Sequence, residues 1–146
     1  MSSVDSVSQN TQDSFSNYRL GKVTATQLNT AGNAVITIPI LNGGLTNSGS
    51  TTTSGAVIVR RVTVQNPSGS IATANVSIGY SAGGANLITA NTVLSSVSAG
   101  GTFQDISPTA TLVSGNVTQC LYVNVNTASG NNNTVDICVW GDVVSF

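Results

Sequence analysis

The sequence predicts an all-β fold: an antiparallel β-sandwich, jelly-roll-like, of about eight strands. Composition is the first reason. The chain has 19 valines and 19 threonines, β-branched residues that fit a pleated sheet, while Glu is absent and Lys22 is its sole lysine, so helix formers are scarce. Period is the second. Apolar residues recur at every second position over short runs, the spacing that puts them on one face of a strand. Punctuation is the third. Gly, Asn, Ser and Pro clusters separate these runs at short, regular intervals, as in sandwiches and barrels. An immunoglobulin-like sandwich is the second choice of topology.

The elements follow in order. Tyr18 to Leu28 reads as a first strand, with Leu20, Lys22, Thr24 and Thr26 on one face and Val23, Ala25 and Gln27 on the other. A turn at Asn29–Asn33 leads to Ala34–Ile40, where Ile36, Ile38 and Ile40 share a face and Pro39 marks an end or an edge. Asn42 to Gly55 is loop by composition and length, and a candidate contact surface. Ala56 to Asn66 is a strong strand with an irregularity: Arg60 shares the parity of Ile58, Val62 and Val64. Either Arg60 is buried and paired, or a bulge near Arg60–Arg61 shifts the phase. Ala74 to Tyr80 sets Val76, Ile78 and Tyr80 against Asn75, Ser77 and Gly79. Leu87 to Val97 reads as a further strand or two short ones, followed by short strands at Thr102–Ile106 and Thr109–Val113.

The stretch from Val117 to Phe146 is the most regular. Leu121, Val123 and Val125 alternate along one run and Val135, Ile137 and Val139 along the next, with Thr-Ala-Ser-Gly-Asn-Asn-Asn between them. This predicts a β-hairpin with six apolar residues on one surface. Its other surface carries Cys120, Tyr122 and Asn124, then Asp136, Cys138 and Trp140, and is expected to be covered by the chain or by another subunit. The two cysteines are either a cross-strand disulfide or free, buried small hydrophobes.

At 146 residues the chain suits one domain, residues 18–146, preceded by a polar, aperiodic flexible N-terminal arm, residues 1–17. Charged residues make up 6%, against roughly 25% in ordinary soluble domains. The net charge of −1 supplies no basic patch for phosphate, which argues against nucleic acid. Nothing approaches the apolar length of a membrane-spanning helix, and residues 1–17 lack the basic start and apolar run of a secretory signal, so synthesis in a cytoplasm is expected. A near-uncharged surface favours association, which suits a large assembly.

Catalytic groups are sparse. There is no histidine, hence no Ser-His-Asp triad and no commonest metal ligand. Asp136 and Asp142 lie six residues apart, about 20 Å along a strand, too far for a carboxylate pair. Two cysteines alone cannot complete a zinc site, and the Gly-Gly pairs lack the Lys-Ser/Thr of a phosphate loop. The reading is no enzyme, no cofactor and no metal. Candidate contacts with a partner or a second subunit are Phe15, Arg19, Arg60, Arg61, Tyr122 and Trp140. Arg60 or Arg61 either pairs with Asp105 or another aspartate within the fold, or reaches an acidic neighbour. Tyr80, Phe103, Tyr122 and Trp140 are core or interface aromatics, with a sugar-binding platform as the other option.

Four phrases carry a resemblance: Tyr18-Arg19-Leu20-Gly21, Arg60-Arg61-Val62-Thr63-Val64-Gln65-Asn66-Pro67, Val76-Ser77-Ile78-Gly79-Tyr80 and Ile137-Cys138-Val139-Trp140-Gly141-Asp142. With the Ser/Thr/Asn-rich strands and polar arm, the chain resembles small structural proteins of tailed-bacteriophage virions, above all capsid decoration (cement) proteins. The resemblance implies a homotrimeric jelly-roll or related β domain on the capsid exterior. Its partner would be the major capsid protein, and its role to bind the outer capsid surface and stabilise the shell. It transfers no catalytic residues, and it makes residues 1–17 the natural capsid-contacting element. The alternative is a receptor- or carbohydrate-binding β module of a phage fibre or tail; a self-assembling appendage subunit is a third.

Overall fold

A computed structural model describes residues 18–39, 55–80, 86–109, 112–114 and 120–145. The arm, Phe15 and most of the 42–55 loop lie outside the described residues. The fold is all-β, in two antiparallel sheets. Its strands are β1 (Tyr18–Gln27), β2 (Gly32–Pro39), β3 (Gly55–Gln65), β4 (Asn75–Gly79), β5 (Thr92–Val93), β6 (Gln104–Ile106), β7 (Leu112–Ser114), β8 (Cys120–Thr127) and β9 (Thr134–Ser145). The first sheet runs β1-β9-β3-β6, with β7 also on β3; the second runs β2-β8-β4-β5. Strand β6 pairs with Val62–Val64 and β7 with Ala56–Ile58, so both lie along β3 at different heights.

The closing pair of strands is where sequence and structure part. Strands β8 and β9 do not form a hairpin. Strand β8 lies between β2 and β4, and β9 lies between β1 and β3 in the other sheet. The link between them is an arch over the edge of the sandwich. Gly130 takes φ +79°, the left-handed turn conformation that glycine adopts without steric cost. The Ser129 hydroxyl donates to the Asn131 carbonyl, and the Asn131 side chain accepts from the Asn133 N–H. The Ser129 N–H donates to the Leu28 carbonyl, tying the arch to the end of β1. Leu121, Val123 and Val125 therefore meet Val135, Ile137 and Val139 across the core, all essentially buried. The alternation fixes which side chains point inward; it does not fix which strand lies alongside. Facing the two apolar sets in opposite sheets buries each against the other, which a lone hairpin cannot do.

Both neighbours of β9 bulge. In β1 the register slips between Arg19, opposite Trp140, and Gly21, opposite Val139. Leu20 is the extra residue and is fully buried, while Lys22 lies opposite Cys138 on the outer surface. The single alternation expected for β1 is thus broken, and Leu20 and Lys22 do not share a face. In β3 the slip falls between Val59 and Arg61. Of the two readings for Arg60, the bulge is the one realised: Arg60 and Arg61 are both exposed and Val59, Val62 and Val64 are buried. Trp140 lies between these slips, with Gly141 next to it, opposite Tyr18 and Val59. A β-carbon there would overlap the Ile58 carbonyl and come within 3.1 Å of the Leu20 Cδ1.

The expected strand over Leu87–Val97 shrinks to Thr92–Val93 and an isolated bridge between Gly79 and Leu87. The rest is an irregular segment docked on β4. The Ile88 and Thr89 N–H groups both donate to the Ile78 carbonyl, and the Ile78 N–H donates to the Thr89 hydroxyl. Ile88, Leu94 and Val97 are buried, so this apolar pattern fills the core without a full ladder.

Cys120 and Cys138 lie in opposite sheets and are free, so the disulfide alternative is not realised. Burial pushes the Cys138 thiol up, with Lys22 and Arg19 pulling it part of the way back. Two outcomes are expected. Denatured, non-reduced protein should titrate two thiols. In the native state Cys138 should label far more slowly than Cys120. The raised thiol binds its proton more tightly in the folded state, so its contribution to stability is full below the ordinary thiol value near ~8.5 and falls as pH rises above it. Cys138→Ala should flatten that alkaline loss in urea melts. Denatured, non-reduced protein with no titratable thiol, both cysteines being joined in a disulfide, would contradict the arch.

Candidate functional site: the charged outer face of the first sheet

The first sheet's outer surface collects the chain's charge. Arg19, Lys22, Arg60, Arg61, Asp105, Asp136 and Asp142 are all the charged side chains among the described residues, and all seven lie on its strands. Register builds two rows. Arg19 on β1 lies opposite Trp140 on β9, which lies opposite Arg61 on β3. Lys22 lies opposite Cys138, then Thr63, then Asp105 on β6. Four of the contact candidates read from the sequence, Arg19, Arg60, Arg61 and Trp140, are thus brought together from three strands.

Two ion pairs hold part of this surface. Arg60 Nε donates to Asp142 Oδ2 at 2.6 Å, and Arg61 Nε donates to Asp105 Oδ1 at 3.0 Å. The Arg61–Asp105 pairing is thus within the fold. Both pairs are half-exposed, and each stabilises by at most about 1 kcal/mol. Their main effect is to neutralise Arg60 and Arg61 in place. Arg19 and Lys22 have no hydrogen bond or ion pair with the described residues. The Trp140 indole Nε1 donates to the Thr63 hydroxyl at 2.5 Å, which fixes the half-buried ring.

Asp136 differs from the other two acids. It is 8% exposed, and its carboxylate accepts from the Ala25 N–H at 2.8 Å and from the Asn66 side-chain amide at 3.2 Å. Ala25 and Asn66 have φ of +50° and +54°. A left-handed residue other than glycine costs about 1–2 kcal/mol, and Asp136 stabilises both distorted positions at once. It is a structural carboxylate that pins the second irregularity of β1 to the end of β3.

Tyr122 is not part of this surface. It lies on the outer side of the second sheet, opposite Thr37 and Gly79. Cys120, through a side-chain hydrogen bond and its charge, holds the Tyr122 hydroxyl above its ordinary value, with burial adding to this. That side carries no charge among the described residues. Its polar centre is Asn126, whose amide reaches Asn91 at 3.1 Å and Asn75 and Ser77 at 3.4 Å. Phe103 is 57% exposed, so the core reading fails for it. Lys22 was absent from the sequence-derived set because the bulge at Leu20 reverses its face. Asp105, the aspartate expected to partner Arg60 or Arg61, takes Arg61; Asp142 had no local signal, since Arg60 lies 82 residues away.

The two kinds of acid should separate in stability. Asp136→Ala should cost about 3 kcal/mol in urea unfolding, because buried charge-assisted donors lose their acceptor. Asp105→Ala should cost under about 1 kcal/mol. Equal costs would contradict the assignment of Asp136 as structural.

No family model, curated protein or solved structure matches this chain.

Proposed function

We propose that the chain is a structural virion protein, a capsid decoration protein of a tailed bacteriophage. In this reading a homotrimer of jelly-roll domains binds the major capsid protein on the shell exterior and stabilises it. One observation carries the reading. Three of the four phrases that resemble decoration proteins are remote in sequence yet adjacent in space: Tyr18–Gly21, Arg60–Pro67 and Ile137–Asp142 pair as neighbouring strands around Trp140. The strand order adds support. Setting β7 aside, β1→β2, β3→β4 and β8→β9 each cross between sheets, and the orders β1-β9-β3-β6 and β2-β8-β4-β5 are compatible with the jelly-roll arrangement of this reading.

The receptor- or carbohydrate-binding module draws on a different observation, the exposed Phe103 beside the open edge of β6. It expects a glycan to protect that edge.

The decoration reading is tested with shells of the phage that encodes the chain, assembled without it. Added full-length protein should co-sediment with the shells at a fixed stoichiometry and raise their melting temperature. A chain lacking residues 1–17 should retain its far-ultraviolet β spectrum and lose shell binding. Undiminished binding by the shortened chain would remove the arm from the interface. Absence of binding by the full chain would overturn the reading.

A further inference from the structure

We propose that the outer face of the first sheet docks a carboxylate-bearing protein surface, with Arg19 and Lys22 as the cations that meet it and Trp140 as the rigid anchor beside them. This names the chemistry of the shell surface and rests on the decoration reading for the partner's identity.

The charge distribution makes the case. Four cations share the face with three acids. Asp142 and Asp105 neutralise Arg60 and Arg61, and Asp136 is buried and committed to Ala25 and Asn66. The positive excess therefore falls on Arg19 and Lys22, both on edge strand β1. Both point outward because Leu20 takes the bulge between them; without the slip one of the two would turn toward the core. Beside them the Trp140 ring is half-exposed and already fixed through Thr63, so little freedom is lost on contact. Arg and Trp are the side chains that most often anchor protein interfaces.

The same surface disfavours nucleic acid. Asp105 and Asp142 sit among the cations, and a phosphate chain with its dense negative charge would meet them as well as Arg19 and Lys22. A folded partner can present carboxylates to β1 and leave the ion-paired region untouched. The chain's own remaining acids, Asp5 and Asp13, precede β1 and are the competing occupant.

Trp140 is the sole tryptophan and reports on the site directly. Full-length protein is titrated with poly-L-glutamate, with an uncharged Ser/Asn peptide of equal length and with oligothymidylate, following Trp140 emission. Poly-L-glutamate should shift the emission, and raising salt from about 20 to about 300 mM should weaken the binding about tenfold. Arg19→Gln/Lys22→Gln should lose the response, while the charge-preserving Arg19→Lys/Lys22→Arg should keep it, which separates lost charge from lost fold. The proposal is overturned by no response to poly-L-glutamate, by an equal response in the neutralised variant, or by tighter binding of oligothymidylate. It is also overturned if Asp5→Asn/Asp13→Asn alone reproduces the emission shift, since the arm would then be the occupant. Shell co-sedimentation is read separately. Shell binding without a poly-L-glutamate response sinks this proposal alone; the converse sinks the decoration reading and leaves the carboxylate site standing.

Discussion

The structure turns on Trp140 of β9: β1 carries an extra residue opposite the Val139–Trp140 step and β3 carries one opposite the Trp140–Gly141 step. Strand β9 is the interior strand against which β1 and β3 are laid, and neither can run past it in simple alternation. Leu20 is the surplus residue on one side and Arg60 on the other. Gly141 makes this possible, because with no side chain it leaves room for the Ile58 carbonyl and the end of Leu20. The two slips sort the charges. Past the bulge in β3, Val62 and Val64 turn inward and Arg60 and Arg61 stay outside; past the bulge in β1, Lys22 turns outward and Leu20 fills the core. A buried unpaired guanidinium or ammonium costs several kcal/mol, so a regular ladder at either place would be far less stable. The charged face is thus a consequence of how the core is packed.

Much of this was legible locally. The inward parity of β4, β8 and β9 follows from Val76 and Ile78, from Leu121 to Val125 and from Val135 to Val139, each read by period alone. The clash between Arg60 and its apolar same-parity neighbours pointed to the bulge that the structure contains. Pairing partners were not legible. Nothing between Thr127 and Thr134 distinguishes an arch from a hairpin loop, because that choice is made by β1, β2, β3 and β4, all at least 40 residues away in sequence. Lys22 was misplaced for a related reason: a bulge in β1 answers to β9, which the local pattern of β1 does not contain. The segment from Leu87 to Val97 has the apolar content of a strand, yet its hydrogen bonds go to the end of β4 through Ile78 and Thr89.

The two outer surfaces of the sandwich are chemically unlike. The first sheet carries charges around a fixed indole, Arg60 and Arg61 paired and Arg19 and Lys22 without an ion pair among the described residues. The second is neutral among the described residues, with amides and hydroxyls gathered on Asn126 and with Tyr122 beside Cys120. Charge is depleted at the buried centres of protein interfaces and kept at rims and at surfaces that steer partners. On the proposed reading, the neutral side would associate with copies of the chain and the charged side would meet a partner of complementary charge.

The most direct test of this account is the mass of the full-length protein in solution by multi-angle light scattering. A closed homotrimer, three times the 14.7 kDa chain, is the expected result over a wide concentration range. A monodisperse monomer, or open polymers that lengthen with concentration, would contradict it.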